Sequence, residues 1–496
     1  MKRHTFGVIG GLGSLAGADL FFKLVRSEPV LAEQDAFHFL FEQHPFRDVR
    51  APLNVTCSMT ARKLYVFQMC QSLAQREVNS ILLPCFASHT FREELQSELT
   101  VPIVDMMAAL RRHVDRIATK GAVLGVVASD FVRRSGLFER YFADRYDIVY
   151  PGGLDQAFVM NAIYGEDGVK AGKLEGHAVE HLAHACESLQ RQGVEWILPG
   201  VTELSLVCQV LQRRGYPVLD GNAIYAEHAV SFTASGPRRV FKLGIVGGVG
   251  PAATVDFMDK VVRSTPASRD QDHIKMVVEQ NPQIPDRTAH LLHQEADPTV
   301  SLYATCKRLE SEGASAIAIP CNTAHAFVQD IQPYLAIPIV NMLTETIAFI
   351  RSQYGTVRPV GLLATSGTIA SGVYHEAAQA AGITLMAPSE PFQERVMSAI
   401  YGEHGVKAGY VDGACRESLR EAIEHLALAG AKVIILGCTE LPLIYEETTA
   451  FALANGKSVV LVDPTAVLAR HCVGLAQPEK LALASETPSE CVSVSA

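Results

Sequence analysis

The chain repeats itself, and a repeat unit this long leaves little freedom in what it can fold into. Residues 162–172 read AIYGEDGVKAG and residues 399–409 read AIYGEHGVKAG, an offset of 237 with only Asp167 and His404 differing. The same offset aligns FGVIGGLGSLAG from Phe6 with LGIVGGVGPAAT from Leu243, and LPGVTEL from Leu198 with ILGCTEL from Ile435. An offset of 236 pairs LPCFASH from Leu83 with IPCNTAH from Ile319. Solenoid repeats are far shorter. The 496 residues therefore read as a duplicated and fused globular protein, each copy long enough to bury its own core. The expected divisions are 1–236 for the first copy, 237–475 for the second, and 476–496 for a disordered tail rich in Ser, Glu and Pro. The polar stretch Ser231–Arg239 reads as a linker.

Composition narrows the class. Apolar residues make up 48% and charged residues 19%, the balance of a soluble globular protein. A net charge of −10 offers nucleic acid no basic surface, and no apolar run is long enough to span a bilayer. Eleven cysteines without CxxC spacing, several inside apolar runs, point to reduced thiols and a cytoplasmic location. The opening MKRHTFGVIGG faintly resembles a signal peptide. Its internal copy, FKLGIVGGVG, marks it as the first strand of a domain rather than a leader.

Within each copy, short apolar β-branched runs alternate with helical stretches: KLGIVGG before AATVDFMDKVVRS, SAIAIPC before TAHAFVQDIQPYL, KVIILGC before a Pro-punctuated segment that becomes helical. Such alternation predicts βαβ units and parallel sheets covered on both faces. AIAIPCNTAH and VIILGCTELP share one pattern: strand, cysteine, Thr, helix. Each copy is thus expected to hold two α/β lobes, each offering a cysteine position at the carboxyl end of a parallel strand, where open α/β sheets bind ligands.

Cys321 and Cys438 in the second copy would then face each other across one cleft. A thiolate on one side can take a proton from carbon while a thiol on the other returns one, inverting a stereocentre with no cofactor. That requires one thiol charged and one neutral. A helix N-terminus beside each would favour the thiolate. Asn322, Thr323 and Thr439, with backbone N–H groups, would hold a carboxylate as its α-carbon gains charge. A free cysteine in an apolar strand is ordinarily a buried small hydrophobe, and Cys57, Cys70, Cys186, Cys208, Cys306, Cys415, Cys472 and Cys491 are read that way.

The second copy closely resembles the pyridoxal-independent aspartate/glutamate racemases, in particular the aspartate-racemase branch. The residues that carry the resemblance are GGVGPAAT (Gly247–Thr254), NPQIPDRT (Asn281–Thr288), PCNTAH (Pro320–His325), YGEHGVKAG (Tyr401–Gly409) and GCTELP (Gly437–Pro442), in order and spanning nearly the whole copy. The resemblance implies two flavodoxin-like lobes per copy with the cleft between them. It also implies Cys321 and Cys438 as the acid/base pair, Cys321 acting on the D-form and Cys438 on the L-form, and Arg287 and Lys407 as binders of substrate carboxylates. Aspartate carries two carboxylates, which an arginine fork and a lysine point charge suit; a surface-loop cation is the competing reading for each. Asp286 would orient Arg287 or simply end a turn.

Three other patterns are weaker. The Gly-rich openings partly match a dinucleotide fingerprint but lack its acidic partner about 20 residues on. His177, His181 and His184 could form a metal face, yet no second cluster completes one, and an exposed helix face explains them. His325 would tune Cys321 or serve packing.

The first copy keeps Cys85, Arg50 and Lys170, the counterparts of Cys321, Arg287 and Lys407. Val201 replaces Cys438, Phe86 replaces Asn322, and Val49 replaces Asp286. Valine cannot exchange a proton, so two-base racemisation is not expected there. The copy would serve as a structural partner, standing in for the second subunit of a homo-oligomer, or bind an amino acid through Arg50 and Lys170; the resemblance also leaves open one-sided proton exchange or decarboxylation at Cys85, as in one-thiol relatives of the family. The expected function is aspartate racemisation in the second copy with no cofactor and no metal. A glutamate or broad-specificity racemase, or a non-catalytic amino-acid-binding protein, are the alternatives.

Overall fold

The computed structural model describes residues 4–44, 46, 52–53, 59–232, 240–355 and 359–477. Arg50, Val49, Cys57, Cys491, most of the linker and the tail beyond Gln477 lie outside the described residues. The chain divides into two compact units, Met1–Arg239 and Val240–Ala496.

In the first unit the strands are β1 (His4–Ile9), β2 (Phe37–Glu42), β3 (Ser80–Leu82), β4 (Val123–Ala128), β5 (Asp147–Val149) and β6 (Trp196–Gly200). They form two parallel sheets, ordered β2-β1-β3 and β5-β4-β6. Parallel bridges Ile81–Ile103 and Ile197–Val218 add a fourth position to each. The second unit holds β7 (Lys242–Gly247), β8 (Lys275–Gln280), β9 (Ala316–Ala318), β10 (Ile339–Val340), β11 (Val360–Leu363), β12 (Leu385–Met386), β13 (Val433–Leu436), β14 (Thr448–Ala452) and β15 (Ser458–Val462). Its sheets run β10-β9-β7-β8 and β12-β11-β13-β15-β14.

Numbered within its own lobe, three of the four sheets have the order 2-1-3-4, the flavodoxin-like order without its fifth strand, and the last, β12-β11-β13-β15-β14, reads 2-1-3-5-4 with β14 as an antiparallel edge. The expected class, α/β with two parallel-sheet lobes in each tandem copy, is therefore the fold observed. The strands read as unbroken apolar runs because helices cover both faces: Val8, Ile9, Ile245, Ile434, Ile435 and Leu436 are fully buried. One repeated ion triad ties each copy together. Lys23 bridges Asp19 at 2.7 Å and Asp220 at 2.8 Å, and Lys260 bridges Asp256 and Asp463 in the same way.

The structure departs from the sequence reading after each cysteine. The helical stretch after Cys321 starts as the 3₁₀ turn Thr323–Phe327 before one α turn, Val328–Ile331, and a further 3₁₀ turn, Gln332–Tyr334, while after Cys438 the 3₁₀ turn Leu441–Leu443 forms. So little aligned peptide dipole accumulates beside either thiol. In the second copy the chain then forms the β14–β15 hairpin, antiparallel to its neighbour, before the helix Pro464–Ala476. The Asn455-Gly456 pair, with Gly456 at φ 79°, supplies the reversal. In the first copy a helix, Cys208–Arg213, occupies the corresponding stretch.

Candidate active site

In a sheet that begins 2-1-3 the strand order reverses between the parallel strands 1 and 3, opening a crevice at their carboxyl ends. In the second unit these positions are Gly247–Gly250 after β7, Cys321 after β9, Thr365 after β11 and Cys438 after β13. All converge on one cleft of about 280 Å³, also lined by Arg287, Asn322, Thr323, Tyr401, Lys407, Thr439 and Glu440. The seven site residues expected in this copy are thereby brought together.

The two cysteines meet opposite charges. Arg287 is 7% exposed, and although burial opposes its charge, Cys321 beside it raises its pKa. The guanidinium donates to the carbonyls of Ile284 at 3.3 Å and Pro285 at 3.0 Å, while its buried Nε has no partner. No carboxylate pairs with it among the described residues. Asp286 instead caps the helix Arg287–His293, its Oδ1 accepting from Ala289 N–H at 2.8 Å.

Cys438 donates to Glu440 Oε2 at 3.1 Å. Burial and then the Glu440 carboxylate push its thiol well above the ordinary range. Lys407 Nζ lies 2.9 Å from Glu440 Oε1. Burial would raise the Glu440 carboxyl, yet Lys407 overcomes this and holds it below its usual range. Burial likewise opposes the charge on Lys407, and Glu440 raises it. Lys407 therefore reaches the cleft already half-neutralised.

Glu440 was not singled out from sequence, although Glu203 and Glu440 are kept in both copies where the cysteine is not. Gly250, at φ 122°, makes room for it. A Cβ there would lie 2.6 Å from Glu440 Oε1, so the Gly-rich opening accommodates this carboxylate.

The remaining wall is a hydroxyl network. Thr323 Oγ1 bonds Thr368 at 2.7 Å and Thr365 at 3.2 Å, and Thr288 reaches Thr365 at 3.3 Å. Asn322 Oδ1 accepts from Tyr374 O–H at 2.6 Å, leaving its buried Nδ2 without a partner. Thr439 bonds Glu440 at 3.2 Å. His325 is a brace: Met342 N–H donates to Nε2 at 3.1 Å, so Nδ1–H donates to the Cys321 carbonyl at 2.9 Å. Burial lowers its pKa, keeping the ring neutral.

The first copy builds the same crevice with different contents, a cleft of about 400 Å³. Cys85 and Lys170 line it, and Lys170 pairs with Glu203. His89 repeats the brace, with Met106 N–H donating at 3.1 Å and the Cys85 carbonyl accepting at 3.1 Å. Val201 stands at the second thiol position. Arg62, from the first turn of the helix Thr60–Gln75, points Nη1 at the Cys85 sulfur from 3.7 Å. No sequence signal marked it.

The other expectations resolve simply. Cys70, Cys186, Cys208, Cys306, Cys415 and Cys472 are buried free thiols, and burial pushes Cys70, Cys186, Cys208, Cys306 and Cys472 up to about 12. His181 and His184 stack on Phe158 at 4.9 and 5.8 Å. No group of residues able to hold a metal ion occurs among the described residues, and no helix there is long and apolar enough to cross a membrane.

Known proteins are similar to this chain in sequence. The Asp/Glu/Hydantoin racemase family matches residues 9–229 and again 246–472. The broad specificity amino-acid racemase RacX of Bacillus subtilis is 27% identical over 235 residues, 47% of this chain and 96% of that protein. A glutamate racemase of Deinococcus radiodurans is 32% identical over 167 residues, 33% of this chain and 53% of that protein. The solved structure of Picrophilus torridus aspartate racemase has 30% identity and a TM-score of 0.42, covering 48% of this chain and 94% of that one. With the family's pattern matched twice over most of its length, this chain belongs to the Asp/Glu/Hydantoin racemase family and is an isomerase of the racemase type in two tandem copies.

Proposed function

We propose that the second copy interconverts L- and D-aspartate without a cofactor, with Cys321 and Cys438 as its two proton carriers. The observation that supports this most is the opposed charge on the two thiols: a guanidinium beside Cys321 and a carboxylate beside Cys438. That is the division a two-base reaction needs, one sulfur charged and one protonated. Cys321 Sγ as thiolate takes the α-proton of D-aspartate. The electron pair left on the α-carbon delocalises into its carboxylate, and Cys438 S–H gives its proton to the opposite face. L-aspartate leaves, and the enzyme is left with Cys321 protonated and Cys438 as thiolate, the form that runs the reverse reaction.

Arg287 serves as the principal carboxylate anchor, because Lys407 already carries Glu440. Asn322 Nδ2, Thr323 and Thr439 stabilise the charge that develops on the carboxylate. The first copy does not racemise, lacking the second thiol, and has a structural role. Nine described cysteines, all free, fit a reducing cytoplasm. A broad-specificity reading is supported by the relative of that name, matched over 96% of its length. Non-catalytic binding is the remaining alternative.

Proton NMR of L-aspartate, then D-aspartate, in D₂O tests the proposal. The expected result is loss of the α-proton signal with growth of the other enantiomer. Turnover of other amino acids at equal rates would transfer the assignment to broad specificity. Silence on aspartate and across a panel of amino acids would leave a binding protein.

A further inference from the structure

The first copy has lost a thiol but kept the charge layout of the second, and it has done so with an arginine from a different place in the fold. Arg287 enters the second-copy cleft from the loop after β8. Arg62 enters the first from the helix Thr60–Gln75, where the offset of 236 that pairs Cys70 with Cys306 sets Pro298 opposite it. Arg62 reaches the Cys85 sulfur, as Arg287 shares its cleft with Cys321. Arg62 is only 6% exposed, and its Nε is buried without a hydrogen-bond partner. No carboxylate pairs with it among the described residues, and the neighbouring Lys170 is spent on Glu203. Among the described residues the Arg62 charge meets the Cys85 sulfur and the Phe46 ring, 5.1 Å away, and a bound anion would lower the cost of burying it.

Part of the wall around that cation has turned apolar. Asn322, Thr323, Thr368 and Cys438 of the second copy are matched by Phe86, Ala87, Val132 and Val201, while Ser129, Thr202, Tyr164 and Glu203 keep the polar groups of Thr365, Thr439, Tyr401 and Glu440. At the four exchanged positions an α-ammonium group would lie against hydrocarbon, the carboxylate of the wall being held by Lys170, and a hydrocarbon substituent would lie against its like.

We propose that the N-terminal copy is a binding site for a small monocarboxylate that carries an apolar substituent and no α-amino group, with Arg62 as its anion anchor. This site goes beyond the racemase reading and does not depend on it.

Titration calorimetry on the full chain with 3-phenylpropanoate tests it, beside phenylalanine (the same skeleton with an α-ammonium) and 3-phenylpropanamide (the same skeleton without charge). The expected result is one saturable site per chain for the acid, with both comparison compounds weaker by roughly tenfold or more. Arg62→Gln should weaken the acid by roughly tenfold to a hundredfold, as loss of a charge-assisted bond does, and Arg287→Gln should leave that binding in place. Should Arg62→Gln disturb folding by circular dichroism, Ala87→Thr/Val132→Thr carries the same test. It restores the hydroxyls and should weaken 3-phenylpropanoate while strengthening phenylalanine. The proposal is overturned by no saturation up to ~10 mM, by phenylalanine binding as tightly as the acid, or by binding that is lost with Arg287 and indifferent to Arg62.

Discussion

The turns at Cys85 and Cys321 are braced alike and walled differently. In each, a histidine four residues on spans from the cysteine carbonyl to the first N–H of the next long helix. Beyond that brace the copies part in coordinated pairs. The Asn322–Tyr374 hydrogen bond of the second copy is replaced in the first by a stack of Phe86 on Phe138, 5.8 Å between centroids. The trio Thr323, Thr365 and Thr368 has become Ala87, Ser129 and Val132. A buried polar network is worth keeping whole or removing whole, because a half-satisfied one leaves desolvated donors and acceptors. The first copy approaches the second outcome: scaffold kept, Asn322, Tyr374, Thr323 and Thr368 exchanged together for apolar residues, with Ser129 and Thr202 retained.

The largest break in that comparison comes from giving the second copy the first copy's valine. Cys438→Val should lower racemisation by roughly 10²–10⁴-fold, the contribution of a positioned proton carrier, read by chiral chromatography. Exchange of the α-proton for deuterium with retained configuration should survive for the enantiomer that Cys321 serves. The converse swap sharpens the point. Val201→Cys in the Cys438→Val background should not restore activity, because the first copy has lost its Asn and Thr hydroxyl wall as well as its thiol. Racemisation regained by that one thiol would show that the wall is dispensable.

Glu440→Gln comes next. The carboxylate is the second cause, after burial, of the raised Cys438 pKa. Its removal also frees the Lys407 charge to act on the sulfur. The absorbance step near 240 nm that marks thiolate formation should move down by ~1 pH unit or more. Glu203→Gln in the first copy should create no such step, since Val201 offers no thiol. The pair itself is durable. The Glu440 carboxyl is lowered, so its contribution is present above the unfolded carboxyl value and fades only as pH falls through the folded one. Lys407 is raised, so its share is present below the unfolded lysine value and lost as pH rises through the folded one. An unmoved titration in Glu440→Gln would remove Glu440 from the account of Cys438.

Repetition made the cysteines legible. A residue found twice at the end of an apolar strand, before Thr, is placed by topology before any coordinate is known, and Cys321 and Cys438 are where that logic sets them. Arg287, Asn322, Thr323 and Lys407 were readable from the same motifs. Glu440 stood in plain view in both copies, but its importance depends on Lys407, 33 residues away and adjacent only once the lobe has folded. Arg62 was invisible because its counterpart is a proline and its partner sulfur is reached across the sheet. The stretch after Cys321 is helical as read but begins as a 3₁₀ turn, and the one after Cys438 leads into a hairpin rather than a helix, since the sequence pattern does not separate a 3₁₀ start from an α one.

A smaller effect tests the claim that polar partners were exchanged in pairs. Tyr374→Phe alone strips the buried Asn322 Oδ1 of its donor and should cost about 1–3 kcal/mol, measured by urea unfolding of the full chain. Asn322→Phe/Tyr374→Phe, the first-copy combination, should cost less than the two single changes together, with a coupling of about 0.5–3 kcal/mol. Simple additivity would mean that the two positions changed independently.

The smallest contrast lies at the helix that each histidine brace meets. Asp105 caps Met106–Ile117, accepting from Met107 N–H at 2.9 Å and Ala108 N–H at 3.1 Å. Asn341 caps Met342–Tyr354 with bonds of 3.0 and 3.2 Å. Either residue changed to Ala should cost about 0.5–2 kcal/mol at neutral pH. Only Asp105 carries charge, and it also holds Arg92 at 3.1 Å and the Tyr141 hydroxyl at 2.7 Å. Burial pushes its carboxyl up, but His89, Arg92 and the hydrogen bonds outweigh this and leave it below the ordinary value. A lowered folded value means that this stabilisation is present above the unfolded carboxyl range and drains away as pH falls through the folded one. The cost of Asp105→Ala should therefore shrink in acid, below about pH 4, while that of Asn341→Ala stays level. Equal pH dependence in the two variants would show that Asp105 acts through its cap geometry and not through its charge.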